Sequence, residues 1–114
     1  MINIDLLNEL QAKIKQLELS VKELRTSGTN YAKAERDYKI LLRTECLKLR
    51  DEGMAIGMID KTCYGLQNVA EARYIRDVAK TVYEANIEAI NSLKLQMRLL
   101  ESQIQREFNT NLND

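Results

Sequence analysis

The stretch VAEARYIRDVAKTVYEANIEAINSLKLQMRLLESQIQREF, Val69 to Phe108, decides the fold. It runs without a glycine or proline, and Ile75, Ala79, Val82, Ala89, Ile90, Leu93, Met97, Leu100 and Ile104 keep apolar side chains on one helical stripe. A helix of that extent spans ~60 Å at about 1.5 Å per residue, whereas a compact chain of this size has a radius of gyration near ~13 Å. The pattern therefore predicts an all-α protein, an elongated helical bundle or hairpin with one very long C-terminal helix and coiled-coil-like packing. At its start, Asn68 and Glu71 have the spacing of a capping box.

Working back toward the N-terminus, Leu7, Leu10, Ile14, Leu17, Val21 and Leu24 follow each other by three and four residues, the spacing of a heptad seam. Glu9 with Lys13 and Glu18 with Lys22 add acid-before-base pairs on the solvent face. Thr26-Ser-Gly-Thr-Asn30 gathers helix-ending and helix-capping residues and is read as a break, although the heptad register continues through it to Tyr31 and Tyr38. A second helix follows to Glu52, with Tyr31, Ala34, Tyr38, Leu41, Leu42 and Leu49 inward and Gly53 as the left-handed residue past its end. Met54 to Gly65 reads as a short helix folded over the end of the bundle. The expectation is one domain over residues 1–114, with helices at about 4–26, 31–52, 55–63 and 69–108.

Composition agrees with this and excludes much else. The chain has 114 residues, no proline, six aromatic residues, and seventeen basic side chains against seventeen acidic ones. The balance argues against coating nucleic acid or anionic membrane by bulk charge. No apolar run approaches the ~18 residues of a membrane span, and Met1-Ile-Asn-Ile-Asp5 lacks the basic start of a signal peptide, so a cytoplasmic protein is expected. Cys46 and Cys63 form no C-x-x-C and suit reduced thiols. Apolar residues left off the main stripe, Ile87, Leu95 and Leu99, together with Asn86 on it, point to a homo-oligomer, most simply a dimer.

Histidine is absent, which removes Ser-His-Asp and Cys-His catalysis, His-bearing zinc sites and Glu-x-x-His di-iron centres. Neither phosphate-binding glycine motif occurs. No catalytic residue, cofactor or metal site is expected, and the two cysteines read as small core residues rather than as a reactive pair. Glu84 and Glu88 read as a solvated acidic face. One segment stands out: Leu49-Arg-Asp-Glu-Gly53, Ile59, Gly65 and Val69 loosely follow a helix-turn-helix. In that alternative Gln67, Asn68, Glu71 and Arg73 start the reading helix, and Lys61, Arg76 and Lys80 meet phosphate. Otherwise the segment is a helical corner with an ordinary charged surface. As anchors for a protein partner, the residues singled out are Tyr64, Arg73, Tyr74, Arg76, Lys80 and Lys61, since binding energy concentrates in a few aromatic and arginine side chains.

Ala34-Glu-Arg-Asp-Tyr-Lys39, Leu49-Arg-Asp-Glu-Gly53, Arg73-Tyr-Ile-Arg-Asp77 with Val82-Tyr83, Glu88-Ala-Ile-Asn-Ser-Leu-Lys94, Arg98-Leu-Leu-Glu-Ser-Gln103 and Arg106-Glu-Phe108 resemble small helical proteins encoded by temperate phages of Gram-positive bacteria. The likeness covers about residues 31–108, and Phe108 stands where that group more often has Trp. It implies a phage origin and a non-enzymatic binding protein acting in the host cytoplasm. Inhibition of a host defence protein, with a CRISPR effector nuclease as the leading target, is the expected role. A nucleic-acid-binding accessory protein and a signal-nucleotide sponge are the alternatives.

Overall fold

The computed structural model describes residues 3–113, and these form three helices: α1 (Ile4–Asp51), α2 (Ile56–Tyr64) and α3 (Gln67–Asn113). Met1 and Ile2, the start of the segment read as lacking a signal peptide, lie outside the described residues. No strand occurs among the described residues, and no helix there is long and apolar enough to cross a membrane.

Both ends of α1 have a local cause. Asn3 caps α1, its side-chain oxygen accepting from the backbone N–H of Asp5 at 2.9 Å and of Leu6 at 3.4 Å. Asp5 in the first turn and Lys48 and Arg50 in the last complement the helix dipole. At the other end Gly53 takes φ +89°, and the N–H groups of Gly53 and Met54 donate to the carbonyls of Arg50 and Leu49 at 3.0 and 3.1 Å. This pair of bonds is a Schellman closure, and the left-handed residue is the glycine the sequence offers for it. The short helix α2 is held by Ile59 and Cys63, four residues apart and both buried.

The break expected at residues 26–30 is not there, and α1 runs through it as one helix of 48 residues. Ser27 is buried, and a Cβ at Gly28 would lie 3.2 Å from Cε2 of Tyr83. The small residues serve close packing: they let the Tyr83 ring lie against the α1 backbone, where it also meets Tyr31 at 5.9 Å between ring centres. Glycine's low helix propensity, about 1 kcal/mol, is overridden by this packing. The capping box at α3 is also corrected. Asn68 is already inside the helix; its side-chain oxygen accepts from Val69 N–H at 2.9 Å and its amide donates to Glu45 at 3.2 Å.

The chain packs as two compact units, residues 1–25 with 84–114 and residues 26–83. In the first, Leu6, Ile90, Leu93 and Leu100 are buried, and the Asn86 amide donates to the Glu23 carbonyl at 3.5 Å. Leu7 and Ile14, expected on the seam, are exposed, Leu6 taking the inward place beside Leu7. In the second unit Tyr38, Cys63 and Val69 form the core, with Leu41, Leu42, Cys46, Leu49, Leu66 and Ala72 packed on it. The stripe drawn along α3 shifts here: Ile75 and Val82 are exposed, and Arg76 and Tyr83 take the inward positions. Ala89, in the first unit, is exposed as well. Hydrophobicity alone selects Ile75 and Val82; the heptad that packs, Val69, Arg76 and Tyr83, includes a charged residue.

Candidate interaction face

The candidate surface lies in the unit of residues 26–83, and the residues under it determine which side chains remain outside. Tyr38 of α1 is buried, and the Arg76 guanidinium lies over its ring, 4.4 Å from the centre. Arg76 is also held by Glu35 at 3.6 Å and Asp77 at 2.9 Å. Burial works against the charge of Arg76, but the hydrogen bond and negative charge of Asp77, with Glu35, outweigh it and hold the group more firmly protonated than usual. Arg73, half-buried, turns toward the Tyr64 carbonyl at 3.4 Å. Both arginines expected to bind a partner are thus drawn into the packing of α1, α2 and α3.

The other expected anchors remain at the surface. Tyr64, Tyr74, Lys61 and Lys80 are exposed, as are Gln67 and Glu71 at the start of α3. Tyr74 has apolar company, Ile75 and Val82 from the stripe expected to face inward together with Val78, each about half exposed at 53%, 48% and 45%. At 3.6 residues per turn these positions form one strip along α3, with Glu71 one turn before Ile75. The strip is turned away from Arg76 and Tyr83, which face α1. The spacing 75, 78, 82 is present in the sequence, but apolar character alone does not tell which side of α3 meets α1.

Among the described residues no group of three or more Cys, Asp or Glu is placed to hold a metal ion. Cys46 and Cys63 are both free thiols. Burial, with Cys46, Glu45 and Asp60 nearby, pushes the Cys63 thiol up to about 11.

Comparison with known proteins returns no matching family model, no matching curated protein and no matching solved structure.

Proposed function

We propose that the protein is a non-enzymatic binding protein whose Tyr74, Ile75, Val78 and Val82 face docks a helix of another protein. The observation that carries this is the exposure of three β-branched side chains and a tyrosine on one side of a regular helix, where solvent normally meets polar residues. Their three-and-four spacing is that of a coiled-coil seam, so the occupant of matching shape is an amphipathic helix with the same spacing. Glu71 on the strip favours a basic residue at that end of the occupant.

The resemblance to temperate-phage proteins directs this reading toward inhibition of a host defence protein, an anti-CRISPR-type activity with a CRISPR effector nuclease as the first target to examine. A neutral chain acts there by shape rather than by imitating the charge of DNA. The nucleic-acid alternative is weakened by Arg73 and Arg76, two of its four intended cations, being engaged by Tyr64, Tyr38, Glu35 and Asp77. A homodimer is proposed separately, through Leu95 and Leu99, exposed one turn apart on α3.

The test compares tagged wild type with an Ile75→Glu, Val82→Glu variant in pull-down from infected host cells and in a CRISPR nuclease cleavage assay. Both side chains are exposed, so the variant should keep its helicity while losing the captured protein and the inhibition. Equal capture and equal inhibition by a folded variant would overturn the assignment of this face.

A further inference from the structure

Between α1 and α2, within the unit of residues 26–83, an open groove of about 300 Å³ is lined by Cys46, Leu47, Arg50, Ile56, Ile59 and Asp60. Cys46 is half-buried and lines that groove, so a small molecule entering it meets this thiol. Cys63 stands behind it, fully buried, with its Sγ 3.5 Å from the Leu42 carbonyl oxygen, one helical turn before Cys46. Cys46 packs against the core cluster that contains Cys63. Arg50, four residues beyond Cys46 on the same side of α1, puts a positive charge on the rim of the groove, where an anionic small molecule would be drawn in. One thiol is reachable and near a cation; the other is shielded and adjacent to the first.

We propose that Cys46 is a thiol-modification site for small disulfides, with Cys63 as its resolving cysteine. The thiolate of Cys46 attacks one sulfur of glutathione disulfide; a sulfur–sulfur bond forms to Cys46, the original one breaks, and glutathione leaves as a thiolate that takes up the proton Cys46 gave up. Cys63 then attacks the Cys46 sulfur; a sulfur–sulfur bond forms between the two cysteines, the bond to the second glutathione breaks, and that glutathione leaves with the proton Cys63 gives up. In sum, two protein thiols are oxidised to one disulfide and one glutathione disulfide is reduced to two glutathione thiols. The product ties α2 to α1 across the Glu52–Ala55 connection, which otherwise depends on the Gly53 turn and on Ile59 and Cys63 packing.

The experiment exposes the folded full-length chain to glutathione disulfide, blocks remaining thiols, and maps the cysteines by mass spectrometry. Wild type should yield an intrachain Cys46–Cys63 link, with a raised melting temperature and slower proteolysis at residues 52–55. Cys63→Ser should stop at a stable glutathione adduct on Cys46, and Cys46→Ser should leave Cys63 unmodified while folded. Wild type that stops at the Cys46 adduct, that forms covalent dimers instead, or that remains fully reduced would overturn the proposal. Because the wild-type map alone decides the matter, a variant that loses helicity does not remove the test.

Discussion

Arg76 covers the ring of Tyr38, its guanidinium carbon 4.4 Å from the ring centre, and this places a cation where the heptad of α3 calls for an apolar side chain. The long aliphatic stem fills the inward position while the head group meets the π face and the carboxylates of Glu35 and Asp77. Arg76→Ala is therefore expected to destabilise the fold by about 1–2 kcal/mol, the range for a partly desolvated cation over an aromatic face. Arg76→Lys should recover less than half, because an ammonium cannot stack its plane on the ring while forking to a carboxylate. Urea unfolding of both variants at low and high salt checks this. The loss should persist at high salt, since stacking and packing are screened less than exposed ion pairs.

Gly28 and Tyr83 make a second such dependence. A Cβ at residue 28 would lie 3.2 Å from the Tyr83 ring, so Gly28→Val sets gained helix propensity against a direct clash with a ring that Tyr31 confines. The clash is expected to dominate and cost about 1–3 kcal/mol, as overpacking does. In a Tyr83→Ala background the same change should cost less than half as much. A double-mutant cycle measured by denaturant unfolding reads that coupling directly, and purely additive losses would separate the two residues.

These two pairs also mark where the sequence could be read and where it could not. The all-helical class, the glycine stop at Gly53, the position of α2 and the long C-terminal helix follow from local rules: periodicity, propensity and capping act within a few residues. The Thr26-to-Asn30 segment defeats those rules because the reason for its glycine is a tyrosine fifty-five positions away. Ile75 and Val82 defeat them for a related reason. Two registers on α3 are both apolar enough to face inward, and the choice between them is made by what α1 presents, Tyr38 and Glu35 selecting Arg76. Of the six anchor residues named from sequence, Tyr64, Tyr74, Lys61 and Lys80 are at the surface and Arg73 and Arg76 are engaged; of the apolar strip beside Tyr74, Ile75 and Val82 are expected inward from sequence and lie outward.

Leu93 and Leu95, two residues apart on α3, should respond in opposite ways. Leu93 is buried at 5% exposure, and Leu93→Ala is expected to cost about 2–5 kcal/mol through lost transfer energy and the cavity left behind. Leu95 and Leu99 are more than half exposed, so Leu95→Glu with Leu99→Glu should leave stability per chain nearly unchanged. If these two leucines carry the proposed homodimer, sedimentation equilibrium should give about twice the chain mass for wild type and the chain mass for the double variant. Wild type that sediments as a monomer, or a double variant that still dimerises, would rule this contact out.

Cys63 gives the fold a specific sensitivity to alkali. Burial, reinforced by the neighbouring Cys46 thiol and the negative charges of Glu45 and Asp60, raises its thiol from the ordinary 9.0 to about 11. The folded chain thus holds the Cys63 proton more tightly than the unfolded chain does. The sign follows from linkage: this contribution to stability is complete below about pH 9, declines as the unfolded thiol ionises, and is lost as the pH rises through about 11. Other groups also respond to alkali, so the measurement compares wild type with Cys63→Ala in denaturant unfolding from pH 8 upward. The variant starts lower, having lost packing at a fully buried position, but its stability should fall less steeply between about pH 9 and 11. Alkylation of the native protein reads the same asymmetry another way: Cys46 should label near pH 8 at a rate set by its groove, and Cys63 should label only near its raised value or after unfolding. Parallel pH slopes for the two proteins, together with equal labelling of both thiols at pH 8, would show that Cys63 is neither shielded nor raised in the folded chain.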